Sequence, residues 1–254
     1  IRVKIMKDMK FSLSSYEELI KIIKRSNREI INFDDLINGK CGLIMRHDID
    51  FSPAKASKIA EIEYKHKVVS TYFIMLKSDL YNLNDMNNIK HIKYIISLGH
   101  NIGLHFDASF YSKKNISLEL ACKKECNILE KIFDHKIDII SFHRPEKEFI
   151  GRNKKIAGRY HTYMPLFINE ATYCSDSQGI WRYERPENLI NNQSIQSIHL
   201  LTHPIWWTTP EKMTPGEKID FHLRGEIDKI KSIAAKNCKP YKKYLESKGK
   251  GIAK

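Results

Sequence analysis

Residues 43–50 read Leu43-Ile44-Met45-Arg46-His47-Asp48-Ile49-Asp50, an apolar run that ends in side chains suited to metal binding and proton transfer. The same construction occurs twice more. Asn101-Ile102-Gly103-Leu104 leads into His105-Phe106-Asp107, and Ile198-His199-Leu200-Leu201-Thr202 leads into His203-Pro204. In proteins built on parallel strands, ligands and chemistry collect just beyond the carboxyl ends of the strands. Apolar strands that deliver Asp48, Asp50, His105, Asp107 and His203 to one rim supply what a mononuclear metallohydrolase needs.

Outward from residues 43–50, helical and extended patterns alternate. Tyr16, Leu19, Ile20, Ile22 and Ile23 fall at helical spacing, with Ser14 or Ser15 as N-cap. A strand over 42–46 is followed by a helix that Pro53 opens and that runs to about 66. Strands are predicted over 68–75, 101–104, 137–142 and 195–202, with helices over about 87–97 and 117–133 and a return to helix from 210. The pattern weakens over 144–194, which reads as rim loops around one short strand near 173–175. Strands alternating with helices predict an α/β fold with a parallel sheet, and at least six strands favour a distorted or incomplete (β/α) barrel over an open sheet. With no internal repeat or flexible linker, the expectation is one domain over 1–254, its core at about 15–235 and a basic tail at 236–254.

A chain of 254 residues can bury a sizeable core, and its composition excludes a disordered polymer. The net charge of +13 raises the question of nucleic acid. The lysines are nevertheless scattered, with clusters only at 152–155 and 236–254, and the aromatic residues gather with the rim motifs. A solvated basic surface is therefore expected, and no nucleic-acid partner. Five cysteines, at 41, 122, 126, 174 and 238, show neither a disulfide framework nor paired zinc spacing. With no apolar run of about eighteen residues and a polar start at 1–6, the expectation is a cytoplasmic protein without a membrane span.

Asp48 and Asp50 stand at i and i+2, so both carboxylates face one side of an extended backbone. Two carboxylates that close resist double ionisation unless a cation lies beside them. One is then free to bind metal and the other to handle a proton, although Asp50 or Ser52 could instead cap the helix at Pro53. His100 and His105 are separated by roughly 16–17 Å of strand, which makes His100 a structural residue and His105 the ligand candidate, with Asp107 on the same side. Arg144, after Ser141-Phe142-His143, could hold the free Asp carboxylate ionised and oriented, or form only a surface salt bridge. Asp176 and Trp181 suit a substrate wall or a buried latch. His203, followed by Trp206 and Trp207, suits a general acid in an aromatic pocket or a core histidine.

These residues, in this order, resemble the polysaccharide deacetylase family (NodB homology, carbohydrate esterase 4), and within it the WbmS-like proteins of bacterial surface-polysaccharide clusters. The resemblance covers roughly residues 15–235. It implies that Asp48 is the catalytic base, Asp50 and His105 are metal ligands, Arg144 orients Asp48, and His203 is the general acid. It also implies that His47, His143, Asp176 and Trp181 line or support the site. Two positions depart from the family: Ser109 stands where the second metal histidine is usual, and Ile49 separates two aspartates that are usually adjacent. The third ligand is thus Asp107 or His143. Strand alternation opposes His143 to Arg144 and favours Asp107. The implied activity is metal-dependent hydrolysis of an N-acetyl group on a nucleotide- or lipid-linked amino sugar, with Zn²⁺ (or Co²⁺ or Ni²⁺) as cofactor. The rivals are a non-catalytic carbohydrate-binding or scaffold protein and a hydrolase of another small amide.

Overall fold

The computed structural model describes residues 11–111, 116–145, 147, 149–182 and 184–248. Contacts divide the chain into two compact units, Ile1–Thr208 and Thr209–Lys254. The boundary lies at 208/209, whereas composition alone suggests one domain with a tail from 236.

The first unit runs α1 (Leu13–Arg25), β1 (Ile30–Ile31), α2 (Phe33–Ile37), β2 (Leu43–Ile49), α3 (Pro53–Lys65), β3 (Thr71–Ile74), α4 (Met86–Ser97) and β4 (Asn101–Phe106). It continues with α5 (Leu118–Phe133), β5 (Ile139–Phe142), β6 (Tyr160–His161), β7 (Thr172–Ser175), α6 (Pro186–Asn191), β8 (Ile198–Thr202) and α7 (Pro204–Trp207). The second unit holds α8 (Pro215–Asn237) and α9 (Lys239–Ser247), the latter within the expected basic tail. Among the described residues no helix is long and apolar enough to cross a membrane. Each of the five cysteines carries a free thiol.

The strands pair in parallel in the order β6-β5-β4-β3-β2-β8-β7, with β1 added beside β2. Between β2 and β5 lie three strand spacings, roughly 14 Å in a flat sheet. The Arg46 guanidinium on β2 nevertheless donates to Ser141 Oγ on β5. That contact requires the sheet to curl toward the face carrying Arg46. The result is the expected incomplete (β/α) barrel, with β6 and β7 as its open edges among the described residues.

Alternation along β2 decides what fills this half-barrel. Ile44, Arg46 and Asp48 point inward, while Met45, His47 and Ile49 point toward the helices. At the amino ends of the strands the interior is closed by Phe33, Ile44, Phe73, Ile139 and Phe167. The Phe33 ring meets the edges of Phe73 and Phe167 at centroid distances of 5.9 and 5.2 Å. Burying a side chain of this size contributes about 2–3 kcal/mol. Gly103 on β4 makes the packing possible, since a Cβ there would stand 2.6 Å from the Phe73 ring and 2.9 Å from the Ile139 carbonyl.

Local signals explain most helix boundaries. Ser12, rather than Ser14 or Ser15, caps α1, accepting from the Ser15 N–H at 3.2 Å. Pro53 opens α3 behind Ser52, whose side chain makes no cap bond. Several strands differ in length from the sequence reading. β2 continues to Ile49, because Arg46 through Ile49 pair with Thr71 through Ile74, so Asp48 lies inside the ladder. β1, β6 and α6 are too short to leave a periodic signal.

Candidate functional site

The inward positions of β2, β4 and β5 converge at the carboxyl end of the sheet. Asp50 Oδ1 lies 3.0 Å from His105 Nε2 and 3.3 Å from His143 Nδ1, and those two nitrogens are 3.3 Å apart. The three side chains form a group able to hold a metal ion. Around a tetrahedral ion with bonds of 2.0–2.1 Å, adjacent ligand atoms stand about 3.3 Å apart. The triangle matches that spacing. Asp50 Oδ1 is moreover buried and makes no hydrogen bond within the described structure. Native proteins rarely leave such an atom unsatisfied, and a cation facing the group would satisfy it.

Supporting contacts prepare the ligands. His105 Nδ1 is 3.2 Å from Ser141 Oγ, which also accepts from Arg46. With Nδ1–H donating to that oxygen, the His105 Nε2 lone pair is turned toward Asp50, the tautomer a ligand needs. Burial opposes a charge on Asp50, but the His105 and His143 imidazoles, as proton-bearing partners when no ion has displaced those protons, hold its carboxyl below the ordinary range. For His143, burial lowers proton affinity and Asp50 more than offsets it, so its pKa is raised.

Asp48 lies beside this group, its Oδ2 3.7 Å from His105 Nε2. Arg46 grips both oxygens, Nε to Oδ1 at 2.8 Å and a terminal nitrogen to Oδ2 at 2.6 Å, and both residues are buried. Burial disfavours the Asp48 carboxylate, and the adjacent guanidinium overcomes this and lowers its pKa. Across the site, His203 Nε2 is 3.8 Å from Asp50 Oδ2. Asp176 fixes His203 completely: it accepts the backbone N–H with both oxygens at 3.0 Å, and it meets Nδ1 at 2.6 Å. The Trp207 indole N–H donates to the same carboxylate at 2.8 Å. Burial would lower the pKa of His203, but Asp176 outweighs it and the value is pushed up to about 9. Trp181, half-buried, lies with Phe11 and Trp207 in an aromatic cluster, at centroid distances of 5.7 and 6.0 Å.

Two assignments from the sequence change. Asp107 is not in the ligand group: one oxygen caps the turn at Ser109 (N to Oδ1 3.0 Å) and the other binds Arg144 at 2.9 Å. His143 takes its place, because it continues the inward face of Ser141 two residues past it. Arg144 accordingly turns outward, 63% exposed, and does not touch Asp48. Alternation does oppose His143 to Arg144, but with the inward one reversed. Arg46, the residue that orients Asp48, stands at i−2 on the same strand face, a period-two signal open to sequence reading. His47 is on the opposite face of the sheet, against Glu63 and Thr202. His100 is buried near the amino end of β4, its Nε2 3.1 Å from the Ala60 carbonyl.

No protein-family model matches this chain, and no curated protein does so. Among solved structures it is similar to BA3943 from Bacillus anthracis, a CE4 family pseudoenzyme, at 15% identity over 74% of this chain and 60% of that one, with a TM-score of 0.38. A BA3943 mutant with restored enzymatic activity matches at 15% identity, 74% and 62% coverage and a TM-score of 0.37. The chain thus spans 60–62% of the length of those two. The Streptococcus pyogenes deacetylase PplD in complex with acetate matches at 11% identity, 82% and 85% coverage and a TM-score of 0.42.

Proposed function

We propose that this chain is a metal-dependent hydrolase of the polysaccharide deacetylase kind, removing an N-acetyl group from an amino sugar. The observation that carries the reading is the Asp50–His105–His143 triangle with Asp48 on one flank and His203 on the other. Asp50, His105 and His143 would hold a divalent cation, with zinc best suited to two imidazoles and a carboxylate. When bound, such an ion supplies Lewis acidity toward water and toward an acyl oxygen.

The chain's own residues supply the rest. Arg46 keeps Asp48 ionised and aimed at the site, so its carboxylate accepts a proton from an attacking water. His203, protonated at neutral pH through Asp176, donates a proton to the departing amine. Trp181, half-buried, provides a flat apolar surface of the kind on which sugar rings stack, and the fully buried Trp207, pinned to Asp176, backs it. A cytoplasmic setting, with a nucleotide- or lipid-linked precursor as substrate, belongs to the same proposal.

One observation favours a second reading, a non-catalytic carbohydrate-binding protein on the same frame. Arg46 occupies both oxygens of Asp48, and a carboxylate so paired is a weak base. Elemental analysis of the purified protein beside an Asp50→Ala/His105→Ala variant, followed by assays on N-acetylated amino sugars, separates the two. About one zinc per chain, lost in the variant, together with acetate release supports the hydrolase. A chain that takes up no metal refutes it, and one that binds metal and sugar without turnover favours the second reading.

A further inference from the structure

His47 faces away from the ligand group, and its contacts form a separate chain. Glu63 on α3 is fully buried. Its Oε1 accepts from the Tyr16 hydroxyl at 2.7 Å and the Ser70 hydroxyl at 2.6 Å, and it lies 2.8 Å from His47 Nε2. Its Oε2 accepts from the Tyr72 hydroxyl at 2.5 Å. The other His47 nitrogen, Nδ1, is 2.7 Å from Thr202 Oγ1. A carboxylate–imidazole–hydroxyl series therefore runs from α3 through β2 to the last residue of β8. Glu63 and His47 are 0% exposed and Thr202 1%, so this hydroxyl meets no substrate and is not a nucleophile.

Its place in the ladder gives it a different role. His47 and Thr202 are the last residues paired between β2 and β8. The next residue along the chain after each is a member of the site, Asp48 on β2 and His203 just past the end of β8. Beyond this pair the ladder no longer sets the distance between them. On the inner face, Asp176 holds the His203 backbone N–H. On the outer face, Thr202 is held through His47 by a carboxylate whose other donors come from α1 and the segment around β3.

We propose that Glu63–His47–Thr202 is a positioning device that fixes the separation of Asp48 and His203 at the point where the strand ladder ends. The inference rests on the roles given to those two residues above. Thr202→Val removes only the hydroxyl, and Thr202→Ser keeps it. Turnover of an N-acetylated amino sugar, zinc content, and the His203 imidazole signal of ¹⁵N-histidine-labelled protein, assigned with His203→Asn, are the readouts. Thr202→Val is expected to lower kcat by about 10–100-fold, as a small misplacement of reacting groups does, with KM unchanged. Zinc content stays at the wild-type level, the His203 signal moves, and Thr202→Ser restores both kcat and signal. A folded Thr202→Val protein with wild-type kcat and an unmoved His203 signal overturns the proposal and leaves the series as internal bracing alone. If wild-type protein releases no acetate, the hydrolase reading fails, and the His203 signal by itself still decides the positioning.

Discussion

Strand β2 separates two buried polar clusters that differ in one respect. On its outer side, Glu63 is saturated by Tyr16, Ser70, Tyr72 and His47. On its inner side, Asp50 keeps a buried oxygen without a hydrogen bond, while two imidazole nitrogens converge on it. The outer cluster is complete as it stands, whereas the inner one needs a further group. A buried carboxylate that the protein satisfies by itself braces a fold; one left short, at the mouth of a half-barrel, is prepared for a ligand.

The comparison breaks most directly at the inner cluster. Asp50→Ala/His105→Ala is expected to abolish metal uptake, measured by elemental analysis, whereas Glu63→Gln is expected to leave uptake intact wherever it folds. Asp48→Asn should cut turnover by about 10²–10⁴-fold, the range for losing a general base, without loss of metal. Retained turnover in that variant would remove Asp48 from the role. Arg46→Met leaves a buried carboxylate without its partner and should destabilise the fold by about 3–5 kcal/mol in denaturant titrations.

The outer cluster makes a pH prediction. Burial would raise the Glu63 pKa, but His47, His100 and Ser70 lower it to about 2 from 4.5. The stability it contributes is fully present above pH 4.5 and is lost as pH falls toward 2, on the order of 3 kcal/mol by linkage. Urea titrations between those limits should show this slope in the wild type and a flatter one in Glu63→Gln. The smallest effect is expected at the rim. Arg144→Ala removes a largely exposed partner of Asp107 and should change stability by no more than about 1 kcal/mol, with turnover unchanged.

The fold was legible because its signals are local and periodic. The apolar runs at 43–49, 101–106 and 198–202, each ending in acidic or imidazole side chains, place the rim of a parallel sheet without any contact information. The i, i+2 spacing of Asp48 and Asp50 likewise puts both carboxylates on one face, as found. The same rule, extended two residues back, points to Arg46. Arg144, just past the end of β5, fits the same role by residue type alone, but from its exposed position it forms the salt bridge to Asp107. Asp107 lies just past the end of β4, where the chain turns at Ser109 and alternation no longer fixes its direction. His143 keeps the face of Ser141, which only the contacts of Ser141 with Arg46 and His105 identify as inward.

The sequence by itself determined the alternation of strands and helices, the rim at the carboxyl ends of the strands, and the chemical inventory gathered there. Only the tertiary structure decided that His143 joins Asp50 and His105, that Arg46 serves Asp48, and that His47 belongs to Glu63. Periodicity states which side of a strand a residue occupies, but partners are set by the curl of the sheet. The curl brings β2 within reach of β5 across two intervening strands. That distance is fixed by packing of residues far apart in the chain, with Phe73 seated over Gly103 among them.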